Sequence, residues 1–238
     1  MPRDRHALHD AYALAVILAA ALAVAHTVRW EVPLASAIMF VSLLWASSLS
    51  VIVLRTTVVV MMLPVMMVCI IKYDAGTSAI LAMLGSLSVQ EFRIIHENNP
   101  PYLTALKLAL NRAITGLCAI SAWFAFHAIW PGRSLALGDP RFAVAAVVLG
   151  LVWVIVSGLI VNFQILLSKP VLRLRIDPSI VLGSISSTLP SVMMGLMAAA
   201  VYEYGGLVAF ALAEVSFISN KHYTHRALIQ KENAEQIN

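Results

Sequence analysis

The sequence predicts an all-α protein, a polytopic transmembrane bundle of six to eight helices, and three observations carry that prediction. Of the 238 residues, 61% are hydrophobic and only 12% are charged, whereas an ordinary soluble domain carries roughly 25% charged residues. The mean hydropathy is +0.87. The apolar residues fall into eight runs separated by short polar stretches, and a soluble core of this size would not hide so much apolar side chain from water.

A bilayer core of about 30 Å needs roughly 20 helical residues. The runs lie at about 11–28, 33–54, 57–71, 75–90, 103–130, 141–167, 179–202 and 206–220. The first follows Arg3 and Arg5 and contains Ala23-Val24-Ala25, so it looks like a signal peptide, but with seven further segments behind it we read a retained membrane helix. The third and fourth runs are short, since fifteen residues rise only about 22 Å. They either cross a thin patch or form a re-entrant hairpin packed inside the bundle. Residues 1–222 form the bundle and 223–238 a polar exit helix or linker. With the N-terminus inside, one side receives Arg3, Arg5, Arg55, Arg93, Lys107, Lys169, Arg173, Arg175, Lys221, Arg226 and Lys231, and the other only Arg29, Lys72, Arg133 and Arg141. This asymmetry predicts that both termini lie in the cytoplasm.

Composition also excludes classes of function. The net charge of +4 is spread through short loops, not clustered as a nucleic-acid surface requires. Cys69 and Cys118 lie in apolar runs without metal-ligand or redox spacing and read as small hydrophobes. No phosphate-binding loop, zinc motif or nucleophile elbow is present, so neither an enzyme nor a cofactor is expected in these residues.

Two stretches resemble each other. Leu63-Pro64 leads through VMMVCIIK to Tyr73-Asp74-Ala75-Gly76, and Leu189-Pro190 leads through SVMMGLMAAAV to Tyr202-Glu203-Tyr204-Gly205. Each reads as a proline-kinked helix half, a glycine turn and a second small-residue helix. Broken helices in duplicate point to a central binding site in transporters, while chance likeness between apolar hairpins is the plain alternative.

Ionisable groups at membrane depth are costly, so each is a candidate site residue. Glu214 lies inside the last run. Asp74 and Glu203 sit at the two turns, where contact with water is the competing reading. Arg112 and Lys107 fall early in the fifth run and are expected to snorkel to the inner interface. His127 and His26 near helix ends serve in packing or as ligand contacts. Asn111 and Asn162 suit hydrogen bonds between helices. Ser187, with Ser184, Ser186 and Thr188, precedes Pro190 and donates to a ligand or to freed carbonyls. Asp177-Pro178 reads as a helix start, Trp30 and Trp130 as an outer aromatic belt, and the methionine pairs as adaptable packing. No metal-ligand pairing is found. Small-residue helix faces leave a homodimer open, without a GxxxG motif to argue for one.

The order of these features brings a resemblance. Tyr73-Asp74-Ala75-Gly76, Leu110-Asn111-Arg112-Ala113, Val161-Asn162 and Tyr202-Glu203-Tyr204-Gly205-Gly206, followed by the polar tail, resemble the multi-spanning sensor domains N-terminal to bacterial HD-GYP phosphodiesterases and diguanylate cyclases. Those domains are in turn similar to the substrate-capturing membrane components of vitamin uptake systems. The resemblance covers roughly residues 10–230 and implies perception of a small molecule or membrane state, passed through the C-terminal helix to a fused or separate cytoplasmic signalling domain. It also implies a bacterial cytoplasmic membrane. No GYP or GGEEF motif occurs here, and the lone His9-Asp10 pair, at the edge of the first apolar run, stands without the rest of an HD phosphodiesterase signature. The alternative is a transporter or uptake component for a small, largely apolar metabolite; a membrane enzyme or structural subunit comes third.

Overall fold

The computed structural model describes residues 3–29, 34–48, 51–54, 57–59, 62–87, 95–96, 100–132, 134–136, 138–168 and 192–213. Within them the chain forms α1 (Arg3–Thr27), α2 (Leu34–Ser48), α3 (Met62–Lys72), α4 (Ala75–Gly85), α5 (Pro101–Ile129), α6 (Pro140–Ser168) and α7 (Val192–Ala213). A two-stranded antiparallel hairpin, β1 (Val51–Leu54) and β2 (Thr57–Val59), stands between α2 and α3. Among the described residues the architecture is otherwise helical, and four helices there are long and apolar enough to cross a membrane: α1 over Leu8–Thr27, α5, α6 over Pro140–Gln164, and α7. α2, α3 and α4 are shorter apolar helices.

These bounds revise several expected spans. The run at 33–54 is helical only as far as Ser48, and its end joins the start of the next run in the hairpin. All residues of both strands but Leu54 are β-branched, Val51-Ile52-Val53 and Thr57-Val58-Val59, and such residues fit a pleated ribbon better than a helix. What remains of the third and fourth runs is two helices of eleven residues each, each rising only about 16 Å. Pro64 does not kink α3. That helix starts at Met62, so Pro64 falls in the first turn, where no intrahelical partner awaits its missing N–H.

The last two expected spans are, within the described residues, a single bent helix. Eight residues of straight helix rise about 12 Å, yet the Tyr202 and Phe210 rings meet edge to face at 5.9 Å. Gly206 has φ 72°, and a Cβ on Gly205 would come within 2.6 Å of the Ala209 Cβ. α7 therefore bends at Gly205-Gly206, where glycine alone accepts left-handed backbone cheaply.

α3 is the centre of the molecule. Every residue from Met62 to Ile71 is buried, as expected of a helix that is apolar on all sides. Around it lie Met39 and Leu43 of α2, Ala79 and Ala82 of α4, Ala119 and Phe126 of α5, Phe142 and Leu149 of α6, and Val192 and Ala199 of α7. A second cluster joins Ala13, Val16 and Ala20 of α1 to Leu110, Ala113 and Cys118 of α5. The large exposed residues of the long helices, such as Leu14 and Leu18 of α1 and Ile155 and Leu159 of α6, are the surface that lipid would cover.

The helix ends follow local rules. Pro100 is extended and Pro101 opens α5, the first-turn placement that proline tolerates. Asp139 accepts from the Arg141 N–H at 2.8 Å as α6 begins. α4 runs antiparallel to α5: the Trp123 indole reaches the Tyr73 carbonyl before α4, and Arg112 reaches Ser86 after it. Trp123 and Arg112 are eleven positions apart on α5, a rise roughly equal to the length of the eleven-residue α4.

Candidate functional site

The two Tyr-acid-x-Gly motifs, 129 residues apart in the chain, come together in space. The first makes the break between α3 and α4. Asp74 has extended backbone (φ −71°, ψ 166°) and caps α4. Its carboxylate accepts from the Thr77 N–H at 2.9 Å and the Thr77 hydroxyl at 2.6 Å, and from the Arg29 N–H at 3.4 Å. A short carboxylate at a helix N-terminus satisfies donors that would otherwise lack partners and complements the helix dipole. The Ser78 hydroxyl closes the break by donating to the Cys69 carbonyl at 3.0 Å.

Gly76 sets how closely α1 approaches. A Cβ there would lie 2.2 Å from the Val28 backbone, so only hydrogen fits. This contact brings the end of α1 against the start of α4 and lets the Arg29 amide reach Asp74.

The second motif lies at the bend of α7. Lys72, the last residue of α3, donates through Nζ to the Glu203 carboxylate. The same ammonium stands 5.8 Å from the centre of the Tyr202 ring, a cation–π placement. Tyr73 and Tyr202 lie side by side. Lower down, the Met67 side chain is seated on Gly195, where a Cβ would come within 2.4 Å of its sulfur. α7 thus runs alongside α3 in the same sense, and the two breaks face each other.

An aromatic wall flanks this junction. Trp123 Nε1 donates to the Tyr73 carbonyl at 2.8 Å, satisfying a carbonyl that the break removes from helical bonding. His127 stacks on Trp123 at 4.1 Å and 22°, and its Nδ1 lies 3.0 Å from the Trp123 carbonyl oxygen. Phe126 meets His127 and Phe142 edge-on. His127 therefore has the packed, hydrogen-bonded environment of a wall residue.

Arg112 is half-buried on α5, and its Nη1 donates to the Ser86 hydroxyl at 2.7 Å, a partner the sequence did not indicate. The reason is that α4 stops after three turns. Its last carbonyls need partners, and its C-terminal dipole favours a cation. Ser86 caps that end through its N–H to the Ala82 carbonyl and its hydroxyl to the Met83 carbonyl. The two ends of α4 are thus matched, Asp74 at the start and Arg112 at the finish. Asn111 and Lys107 are half-buried on the same helix.

The other candidates stay outside this cluster. Asn162 is exposed on α6, and it is Tyr12 of α1 that reaches that helix, donating to the Ile160 carbonyl at 3.0 Å. His26 is exposed near the end of α1. Glu214, Ser187, Asp177 and Pro190 lie outside the described residues, as does the tail. Sequence reasoning marked Tyr73 only as part of the repeated motif and did not single out Lys72, Trp123 or Ser86 as site residues. Lys72 carried a signal, for it directly precedes the Tyr-acid motif at the end of an otherwise apolar run. Trp123 and Ser86 carried none, because their roles depend on how α4 lies against α5. Among the described residues no three His, Cys, Asp or Glu side chains are placed to hold a metal ion. No protein-family model, curated protein or solved structure matches this chain.

Proposed function

We propose that the chain is a ligand-binding membrane module in which the junction of the two breaks takes a small molecule and transmits its arrival through α7. The observation that carries this reading is the pairing of Lys72 with Glu203 and Tyr202. It ties the break in the buried α3–α4 unit to the bend in the helix that leads toward the C-terminal segment. A ligand that favours one arrangement of the junction changes the angle of α7 by its differential affinity for the two arrangements. Glycine at 205 and 206 makes the bend adjustable at small backbone cost. The reading agrees with the resemblance to N-terminal sensor domains. In it, the bacterial cytoplasmic membrane houses the bundle, both termini face the cytoplasm, and a fused or separate signalling domain receives the signal.

A second reading is favoured by a different observation. α3 and α4 are half-length helices in the middle of the bundle, their exposed ends held by Asp74, Trp123 and Arg112. Discontinuous helices of this kind form binding sites in transporters, so uptake of a small apolar metabolite is the alternative.

One experiment addresses both. Nitroxide labels at Leu22 and Tyr204, both well exposed, report the distance between α1 and α7 in protein lacking Cys69 and Cys118 and reconstituted in vesicles. The sensory reading expects compounds from a neutral metabolite library to shift that distance without accumulating in the vesicle lumen. Accumulation of the same compounds selects transport, and an unchanged distance across the library rejects the coupling.

A further inference from the structure

α6 is apolar on two opposite faces, and only one of them is used within the bundle. On the inner face Phe142, Leu149, Trp153, Val156 and Ile160 join the two core clusters. At about 100° per residue, Val144, Val148, Leu151, Ile155, Gly158 and Asn162 fall on the opposite side. Val144, Ile155 and Asn162 are exposed there, and the other three are half-buried. A Cβ on Gly158 would meet nothing within 4 Å.

Asn162 sets this face apart from a plain lipid-facing surface. It lies on the midline of the face and inside the stretch Pro140–Gln164, which is apolar enough to cross a membrane. α6 continues to Ser168, so the amide is about 9 Å inside the end of the helix. Among the described residues the Asn162 side chain has no hydrogen-bond partner. Tyr12, which reaches this part of α6, bonds to the Ile160 carbonyl. An amide that meets only acyl chains leaves its donors and acceptor unmatched, at a cost.

The outer residues also recur at alternating steps of four and three from Val144 to Asn162, the a and d positions of a heptad repeat. Val148, Ile155 and Asn162 take a, and Val144, Leu151 and Gly158 take d. β-Branched residues at a favour two parallel strands, and a single asparagine at a fixes their register and number. Glycine at d lets two backbones approach closely. Two copies inserted alike in one membrane run parallel, and a two-fold axis along the membrane normal sets each residue of the seam against itself. An amide carries both donor and acceptor, so across such an axis it is its own complement. We propose that the chain forms a parallel homodimer through the outer face of α6, in which the Asn162 amides of the two copies hydrogen-bond across the axis.

The test uses the full chain lacking Cys69 and Cys118 in phosphatidylcholine vesicles. Copies carrying a donor or an acceptor fluorophore at Leu8→Cys, an exposed position on α1, are mixed and diluted with lipid. Energy transfer is expected to fall with dilution along a two-copy association curve. Asn162→Leu should require about tenfold more protein per lipid for half association, the factor set by an amide pair. Asn162→Gln keeps the amide and should restore most of that loss. In unlabelled protein, oxidation should join copies through Ile155→Cys in preference to Val161→Cys. Val161 is also exposed but lies about 100° round the helix from Asn162. Absence of transfer at every dilution in the protein with Asn162 intact overturns the proposal. So does association that Asn162→Leu leaves unchanged, or cross-linking that does not favour Ile155→Cys over Val161→Cys. Any of these results leaves the ligand-binding reading as it stands, because it is the inner face of α6 that packs toward α3.

Discussion

The two helix breaks share a sequence pattern and use it differently. At the first, the acid is aspartate, and its short side chain turns back on its own helix to cap α4 through Thr77. At the second, the acid is glutamate, one methylene longer, and it reaches across to Lys72 of the other break. The glycines differ in the same way. Gly76 has ordinary backbone but must lie against the Val28 main chain, whereas Gly206 is open to its surroundings and is needed for its φ of 72°. One break is a rigid joint held from three directions. The other is a bend held by backbone conformation, by the Lys72–Glu203 ion pair and by the packing of Tyr202 against Lys72 and Phe210. If the molecule moves, the bend in α7 is the part free to do so.

The contrast predicts a ranking of damage, and its largest member is Gly76→Val. The atoms in the way are main chain, not the tip of a flexible side chain, so relief requires α1 and α4 to separate. A loss of about 3 kcal/mol or more is expected for overpacking of this kind. The measurement is the fraction recovered as a monodisperse species after solubilisation, together with the melting temperature. Recovery equal to wild type would show that α1 is not seated on the first break, and the contrast between the breaks would collapse.

Asp74→Ala comes next. It strips the cap and leaves the Thr77 amide, the Thr77 hydroxyl and the Arg29 amide without their shared acceptor. Removing a cap costs about 1–2 kcal/mol, and about 2 kcal/mol is expected in this half-buried setting. Asp74→Asn should recover part of the loss, since an amide oxygen still accepts. If Asp74→Glu is as stable as wild type, side-chain length is not what separates the two acids.

Gly206→Ala should be milder, at about 1–2 kcal/mol for left-handed backbone in a residue with a Cβ. It sharpens the comparison because its cost depends on the bend being present. Stabilised protein with unchanged spectra would mean that Gly206 does not hold a left-handed bend in the membrane. A narrowed Leu22–Tyr204 distance distribution, with a small loss of stability, is the outcome expected of a stiffened bend.

Much of this fold was legible in the sequence, for identifiable reasons. Long apolar runs such as 103–130 and 141–167 became α5 and α6 with ends moved by a residue or two, because apolar content over a bilayer length is a property of the chain alone. The shortness of the third and fourth runs also announced itself, and both became short buried helices. What failed was local competition. β-Branched residues at 51–53 and 57–59 took an extended form where hydropathy predicted helix. The candidate site was half legible. Tyr73-Asp74 and Tyr202-Glu203 were marked by likeness, but their meeting depends on α7 lying along α3, which no local signal encodes. The partner of Arg112 was illegible for the same reason, since its bond to Ser86 depends on α4 ending beside α5.

The smallest predicted effect is the one most diagnostic of the junction. Lys72 and Glu203 are each partly exposed, at 20% and 27% of their side chains, so their pairing should contribute only about 1 kcal/mol. Lys72→Glu and Glu203→Lys singly place like charges together and should each lower the melting temperature by a few degrees. The double exchange should restore most of that loss, although the new lysine would sit on α7 beside its own Tyr202. The coupling energy from the four proteins isolates the pair from the rest of the junction. A coupling near zero would mean that the two breaks are neighbours without communication, and the route from ligand to α7 would have to run through the Met67–Gly195 contact instead. A clear coupling, with Leu22–Tyr204 distances that broaden in both single variants and narrow in the double, would make the ion pair the element that links the rigid break to the adjustable one.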